Sequence, residues 1–167
     1  LNLLLSPTFK GYTIISGRGG VVTTNMVKTQ LDFIKHVHSK LDKATSKKPT
    51  AKVVVVFGTM WNSTEKMARV ISESMAEEGI KVKLLSMNET HRSEVVYEVL
   101  NAGALIVGSP TLNNNILPQM ADVMTYLKGL KPLNLIGAAF GSYGWSGESV
   151  RDLEAMLTAM KVELAAP

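Results

Sequence analysis

The chain has 167 residues, 46% hydrophobic and 19% charged, as in an ordinary globular domain, with neither a run of about 20 apolar residues nor a secretory signal. The absence of cysteine excludes disulfides and cysteine-ligated zinc or iron–sulfur centres, so we expect a cytoplasmic protein that does not enter a membrane. The net charge of +4 comes from residues 1–52, which contain nine Lys/Arg and two acidic residues. Residues 53–167 contain nine Lys/Arg and twelve acidic residues and are therefore mildly acidic, so we expect no nucleic-acid partner.

The first 50 residues are predicted to form an extension, the remnant of a preceding domain in one interpretation. After a glycine-rich stretch at 17–20, predicted to be irregular, Thr23 or Thr24 can cap a helix across residues 24–42. Its apolar stripe consists of Val27, Leu31, Ile34 and Leu41. Five lysines between residues 40 and 52 lie among Ser, Pro and Thr, a composition typical of a solvated linker rather than of a polyanion site.

From residue 51 onward, short apolar runs alternate with segments of helical period, which predicts βα units on a doubly wound parallel sheet. Strands are predicted at 52–57, 80–85, 104–108 and 133–140, with a fifth from residue 162. Residues 53–57 of the first strand are all apolar, as in a strand buried on both faces. The sequence ends at Pro167 before a further helix, so we expect exposed sheet surface unless residues 24–42 or a neighbouring chain cover it.

The loop after the first of these strands is predicted to bind a phosphate. Residues 59–64 offer three hydroxyls and an amide, and they lead into a helix N-terminus, whose free N–H groups attract anions. The loop has no Lys or Arg, and the P-loop pattern of nucleotide triphosphatases is absent. The alternative is that these residues only cap the helix, although one residue would be enough for that.

Two further loops follow strands three and four, and in a parallel sheet all three loops meet at one edge. Residues 109–115 contain an Asn run, which indicates a turn or backbone amides that face the polar edge of a ring. Residues 141–147 combine Tyr143 and Trp145 with three glycines. Together with Trp61, these aromatics could stack on a flat heterocycle, although a single loop aromatic is more often a packing residue.

Three segments resemble the FMN loops of flavodiiron proteins: TMWNSTEKMA (59–68), VGSPTLNNNILP (107–118) and AFGSYGWSG (139–147). In that family, a metallo-β-lactamase-like di-iron domain precedes a C-terminal flavodoxin-like domain in oxygen and nitric oxide reductases. The resemblance covers about residues 52–167 and implies a flavodoxin-like fold that lacks its last helix. It also implies an FMN-binding electron-transfer domain, with rubredoxin or a reductase as donor and a di-iron domain as acceptor, and it leaves a homodimer open.

The resemblance implies a cofactor site made of three groups of residues. The phosphate group comprises Thr59, Met60, Trp61, Asn62, Ser63 and Thr64; the isoalloxazine group comprises Pro110, Thr111, Leu112, Asn113 and Asn114; the ring site is completed by Ser142, Tyr143, Gly144, Trp145, Ser146 and Gly147.

No metal site is predicted, because the family's His-x-Glu-x-Asp-His iron motif is absent from the sequence. His36 and His38 stand two apart on a predicted helix and point in different directions, and His91 is expected to be a solvated surface residue. Response regulators and serine hydrolases fit poorly, because the acidic residues of the former and the Gly-x-Ser-x-Gly spacing of the latter are missing. Three interpretations stay open: an electron-transfer module, part of a complete oxygen or nitric oxide reductase, and a flavin-free scaffold.

Overall fold

The computed structural model describes residues 14–16, 20–22, 51–133 and 135–165. The strands are β1 (Ile14–Ser16), β2 (Gly20–Val22), β3 (Lys52–Phe57), β4 (Lys81–Ser86), β5 (Ala104–Gly108), β6 (Ile136–Phe140) and β7 (Glu163–Leu164). The helices are α1 (Ser63–Glu77), α2 (Arg92–Leu100), α3 (Pro118–Leu130) and α4 (Glu148–Ala159). The predicted N-terminal helix and most of the lysine-rich linker lie outside the described residues.

The N-terminal strands correct one prediction. β1 and β2 pair antiparallel, with Ser16 opposite Gly20, so Gly20 belongs to a strand rather than to an irregular stretch. Glycine lacks a side chain that would signal pairing, and strands of three residues are too short to show an alternating pattern.

The remaining strands form one parallel sheet in the order β4-β3-β5-β6-β7, which confirms the predicted flavodoxin-like doubly wound fold. The bounds of β4 and the start of β7 are shifted by one residue from their predictions, and the start of β6 differs by three. β6 begins at Ile136 rather than at residue 133, because α3 ends at Leu130 with Lys131 as a left-handed C-cap (φ 50°), and Pro132 follows.

Two apolar layers pack against the sheet, one on each face. Val54 and Val56 of β3 point into the layer formed with α2, α3 and α4. Val53, Val55 and Phe57 point into the opposite layer, to which α1 contributes Ala68, Ile71 and Met75. Because β3 alternates between two buried faces, its unbroken apolar run is explained, as predicted.

The strand register brings the ends of the three loop-bearing strands to the same level. Phe57 of β3 lies opposite Gly108 of β5, which lies opposite Phe140 of β6. Position 108 requires glycine, since a Cβ there would stand 2.2 Å from the Phe140 ring. The loops that follow these strands therefore start from one edge of the sheet. Among the described helices, none is both long enough and apolar enough to cross a membrane.

Candidate functional site

The first loop connects β3 to α1, and its hydroxyls are not used to cap the helix. The N-cap is Asn62, which adopts a left-handed backbone conformation (φ 62°) and makes no capping hydrogen bond through its side chain. Asparagine tolerates this conformation better than most residues. The interpretation of the loop as a simple capping sequence is therefore not supported by the structure.

Thr59 carries the clearest sign of a missing partner. The residue is 8% exposed, and its Oγ1 is buried with no hydrogen-bond partner in the described part of the chain. A buried hydroxyl without a partner costs about 1–3 kcal/mol, so native proteins rarely leave one unpaired. A ligand oxygen at the start of α1 would accept this hydrogen bond, so the donor set of the loop fits a phosphate.

The one acidic residue in the first turn of α1 is paired. Glu65 accepts hydrogen bonds from Arg69 Nε at 2.9 Å and from Arg69 Nη2 at 2.7 Å. The guanidinium offsets a carboxylate that would otherwise repel an anion near the helix N-terminus. The positive end of the helix dipole therefore keeps its preference for an anion.

The second loop follows β5 and contains a tight turn. Leu112 and Asn115 exchange backbone hydrogen bonds of 2.9 and 3.0 Å, and Asn113 and Asn114 between them have φ values of 50° and 60°. Two consecutive left-handed residues define a type I′ turn, for which asparagine is well suited. The turn that the Asn run predicted is confirmed. Both Asn side chains are exposed at its tip, whereas Pro110 is buried at its base.

The third loop follows β6 and exposes its large rings. Trp145 is 96% exposed and Tyr143 52%, and Trp61 of the first loop is 74% exposed. Tyr143 lies against its own loop, because a Cβ at Gly147 would stand 3.2 Å from the Tyr143 ring. Three aromatic side chains are thus presented to the surroundings by loops at the same sheet edge, which is uncommon unless they bind something.

Ser142 joins the three loops. Its Oγ lies 2.9 Å from Thr64 Oγ1, at the start of α1, and its backbone oxygen accepts a hydrogen bond of 2.8 Å from Thr111 N in the second loop. The three segments singled out in the sequence are therefore in direct contact. Met60, Leu112, Gly144 and Ser146 belong to the same loops, and Ser63 is the first residue of α1.

Sequence reasoning missed Ser149, in the first turn of α4. The residue is fully buried; its Oγ donates to Ser109 O at 3.0 Å and accepts from Thr111 Oγ1 at 2.9 Å. The two backbones approach closely here, since a Cβ at Gly141 would lie 2.4 Å from Ser109 O. Ser149 thereby holds the second loop against the third. Nothing in the spacing of the sequence marks it, because a serine in a first helical turn usually has a local role.

Asn88 was missed as well, although a signal was present. It follows β4, and its Nδ2 donates to Thr59 O at 3.3 Å. The carboxyl end of β4 lies at the same edge as the other three loops, so its polar residues were candidates by the same rule.

The charge of the site is negative near the third loop. A hydrogen bond from the Ser146 side chain, and then the backbone N–H of Glu148, hold the pKa of the Glu148 carboxyl below its usual value. Glu148 is therefore ionised at neutral pH, next to Gly147. No Lys or Arg occurs in residues 58–65, 109–118 or 141–150, so the three loops themselves offer an anion only neutral donors.

His91 is exposed, as predicted, but it also has a local role. Its Nδ1 accepts a hydrogen bond of 3.3 Å from Ser93 N and caps α2. His36 and His38 lie outside the described residues. Among the residues that are described, no three His, Asp or Glu side chains lie close enough together to hold a metal.

Comparisons with known proteins agree with this architecture. The flavodoxin family model matches residues 55–167. Over 119 residues, the chain is 54% identical to rubredoxin-oxygen oxidoreductase of Megalodesulfovibrio gigas, and the match covers 71% of this chain and 30% of the relative. Over 116 residues, it is 46% identical to nitric oxide reductase of Moorella thermoacetica, and that match covers 70% of this chain and 29% of the relative. The solved structure of a flavodoxin from the domain Archaea is 31% identical to this chain and superposes with a TM-score of 0.63. The match covers 70% of this chain and 79% of that flavodoxin. The chain spans about a third of the length of the two curated relatives.

Proposed function

The chain belongs to the flavodoxin family as a flavodoxin-like domain of the flavodiiron type with FMN as its cofactor, and on this premise we propose that it passes electrons from a small redox protein to a metal-containing acceptor. The name of the Megalodesulfovibrio relative suggests a rubredoxin as donor. The proposed location is the cytoplasm, because a chain without cysteine has no disulfide that would require an oxidising compartment.

The first loop is proposed to hold the FMN phosphate. Thr59 Oγ1, the Ser63 hydroxyl and the first N–H groups of α1 are the donors. Thr64 supports the loop through its contact with Ser142 Oγ, and Met60, Trp61 and Asn62 complete the loop. All are neutral, so the helix dipole and short hydrogen bonds supply the attraction. Asn88 holds the carbonyl of Thr59 from the side of β4.

The second and third loops are proposed to hold the isoalloxazine ring. The left-handed turn at Asn113–Asn114 presents its tip, Pro110, Thr111 and Leu112 form its base, and the third loop contributes Ser142, Tyr143, Gly144, Trp145, Ser146 and Gly147. When bound, FMN supplies one- and two-electron redox chemistry. The residues of the chain orient the ring, shield it from water with aromatic side chains, and place the negative charge of Glu148 next to the third loop.

The convergence of the three loops at Ser142 carries this proposal. Three segments separated by tens of residues are joined by two hydrogen bonds, while Thr59 beside them lacks a partner for its hydroxyl. A flavin-free scaffold would gain nothing from a buried hydroxyl left unpaired, since it lowers the stability of the chain.

The test identifies the flavin that the chain binds and compares the affinity of the unmodified chain with that of Thr59→Val. This substitution keeps the shape of the side chain and removes the hydroxyl. The unmodified chain should bind about one FMN and no FAD, as determined by heat release and chromatography. Thr59→Val should weaken FMN by roughly one to two orders of magnitude, because a charge-assisted hydrogen bond contributes about 1.5–3 kcal/mol. Riboflavin, which lacks the phosphate, should bind equally to both forms.

The matched control is Thr125→Val, on the exposed surface of α3. It should leave the affinity for FMN unchanged. Equal binding of FMN and riboflavin to the unmodified chain would show that the first loop does not hold a phosphate. Absence of any flavin after reconstitution would favour the scaffold interpretation.

A second candidate function is supported by the names of the relatives. Both are whole reductases, of oxygen and of nitric oxide, and this chain matches about a third of each. On that basis, residues 51–167 are the flavodoxin-like domain, residues 1–50 belong to the connection with another domain, and the acceptor is a di-iron centre. An iron assay on the protein expressed from the intact gene distinguishes the reductase from the isolated module.

A further inference from the structure

The helix that follows the third loop begins without a local side chain to cap it. The N-cap of α4 is Gly147, which has no side chain that could accept a capping hydrogen bond. The first N–H groups of a helix have no partner within the helix, so other groups have to satisfy them. Ser149 N, in the first turn, donates a hydrogen bond of 3.3 Å to Thr111 Oγ1 of the second loop. A residue 38 positions earlier in the chain thus takes the place of a local cap.

The hydroxyl protons of Thr111 and Ser149 are both used inside the protein. Thr111 Oγ1 donates to Ser149 Oγ at 2.9 Å, and Ser149 Oγ donates in turn to Ser109 O at 3.0 Å. Because a hydroxyl has a single proton, neither residue has one left to donate to a ligand. Ser149 and Ser109 are also fully buried and therefore offer no surface to a ligand. The chain of hydrogen bonds ends at the backbone of the second loop.

Thr111 binds the third loop region at two points. Its backbone N–H donates to Ser142 O at 2.8 Å, near the start of the third loop. Its side chain binds Ser149, just after the end of that loop. One residue of the second loop is thus attached to both ends of the third, which fixes the position of one loop relative to the other.

We propose that Thr111 and Ser149 are positioning residues of the flavin site, whose hydroxyls hold each other and set the spacing of the second and third loops rather than binding the flavin. This inference rests on the proposed function, in which these two loops hold the isoalloxazine ring. A change in their spacing acts on the ring, which FMN and riboflavin share, and leaves the phosphate loop unaffected. Loss of the contact should therefore weaken both flavins alike, whereas Thr59→Val should weaken FMN alone.

The test compares Thr111→Val, Ser149→Ala and the double variant, in the full chain, by fluorescence titration with FMN and with riboflavin. Each single variant should weaken both flavins by roughly five- to tenfold, the size of one hydrogen bond. The double variant should lose no more than either single variant, because the two residues act through one contact. Thr111→Ser keeps the hydroxyl and should retain the affinity of the unmodified chain.

The matched control is Ser72→Ala, which removes a serine hydrogen bond of 2.8 Å to Ala68 O within α1. It should leave both affinities unchanged, and a loss equal to that of Ser149→Ala would contradict the proposal. Losses that add in the double variant would mean that Thr111 contacts the flavin independently of Ser149. Unchanged binding by Thr111→Val, in a chain that binds FMN, would reject the positioning role and leave the proposed function intact.

A second measurement needs neither flavin nor Ser149→Ala, which removes a buried hydroxyl and could prevent folding. In the flavin-free chain, the Ser149 amide should exchange with solvent at least fivefold faster in Thr111→Val than in Thr111→Ser, because its acceptor is gone. Equal exchange rates would show that Thr111 does not hold the start of α4 and would overturn the proposal. Failure of the unmodified chain to bind any flavin, with the exchange rates as expected, would instead reject the proposed function.

Discussion

Two residues of the site are unusual in opposite ways. Thr59 buries a hydroxyl without a partner, whereas Trp145 exposes nearly its whole ring. The first arrangement destabilises the chain by itself, and the second leaves a large apolar surface in water. A single ligand with an anionic end and a flat apolar ring removes both costs. Neither feature would identify FMN alone, but their location on loops joined through Ser142 makes one ligand the simplest explanation.

Trp145→Ala should weaken FMN binding without destabilising the protein. Because the ring is 96% exposed, its removal should leave the thermal midpoint of the flavin-free chain unchanged. A stacked aromatic contributes about 0.5–1.5 kcal/mol beyond its buried area, so the affinity for FMN should fall roughly tenfold. Fluorescence titration measures the affinity, and the emission of residual bound flavin should increase.

Tyr97→Ala is the control for this prediction. Tyr97 is also an exposed aromatic, at 68%, but it lies on α2, outside the three loops. Its removal should leave the affinity and the emission unchanged. If Trp145→Ala behaves in the same way, Trp145 does not belong to the ring site.

At the scale of elements, an ion pair fastens β3 to α2. Lys52 Nζ donates to the Glu98 carboxylate and, at 3.2 Å, to the Glu98 backbone oxygen. Both side chains are mostly buried, at 13% and 17% exposed. The hydrogen bond from Lys52 and then the charges of Lys52, Lys83 and Lys81 outweigh desolvation and lower the pKa of the Glu98 carboxyl. The pair therefore stabilises the end of β3 that is remote from the site.

Glu98→Gln should lower the free energy of unfolding at pH 7 by about 1–2 kcal/mol, since it replaces a charge-assisted hydrogen bond. A carboxyl whose folded pKa is depressed contributes its stability above the ordinary value of about 4.3 and loses it as the pH falls through the folded value. The difference between the two proteins should thus be full at neutral pH and should narrow as the pH falls below about 4.3. Urea unfolding at pH 7 and at pH 3.5 measures it.

Glu94→Gln is the matched control on the same helix. The Glu94 side chain is 52% exposed and lies 3.7 Å from Lys83 Nζ, so its ion pair is largely screened by solvent. Its removal should change stability little at either pH. An equal loss in both variants would mean that the charge of α2, rather than the Lys52–Glu98 contact, is responsible.

For the molecule as a whole, the sequence predicted the elements that follow from the periodic spacing of apolar residues. It missed the contacts between side chains that lie far apart in the chain. The apolar run of β3 implied a central strand, and the order of strands and loops placed the site at one edge. The contacts of Ser149 with Ser109 and Thr111 cross about forty residues and follow only from the folded backbone. The sequence left the exposure of one sheet face open, and the side chains of Ile136 and Ala138 on that face are buried.

The last prediction concerns reduction of oxygen by the whole chain. Water requires four electrons per oxygen molecule and peroxide two, and a single flavin stores two electrons. Iron sites that complete the reduction use several His and carboxylate ligands that converge on one pocket. This sequence offers three His, of which His91 caps α2 and His36 and His38 stand two residues apart. We therefore expect the chemically reduced chain to consume oxygen slowly and to release about one hydrogen peroxide per oxygen consumed.

The measurement is an oxygen electrode trace, with catalase added after oxygen uptake ends. Return of about half of the consumed oxygen indicates that peroxide was the product, because catalase releases one oxygen from two peroxides. Free FMN at the same concentration is the control for chemistry outside the protein, and shielding by the three loops should make the chain react more slowly than free FMN. Rapid uptake with no oxygen returned, together with bound iron, would contradict the prediction and assign the complete reductase activity to this chain.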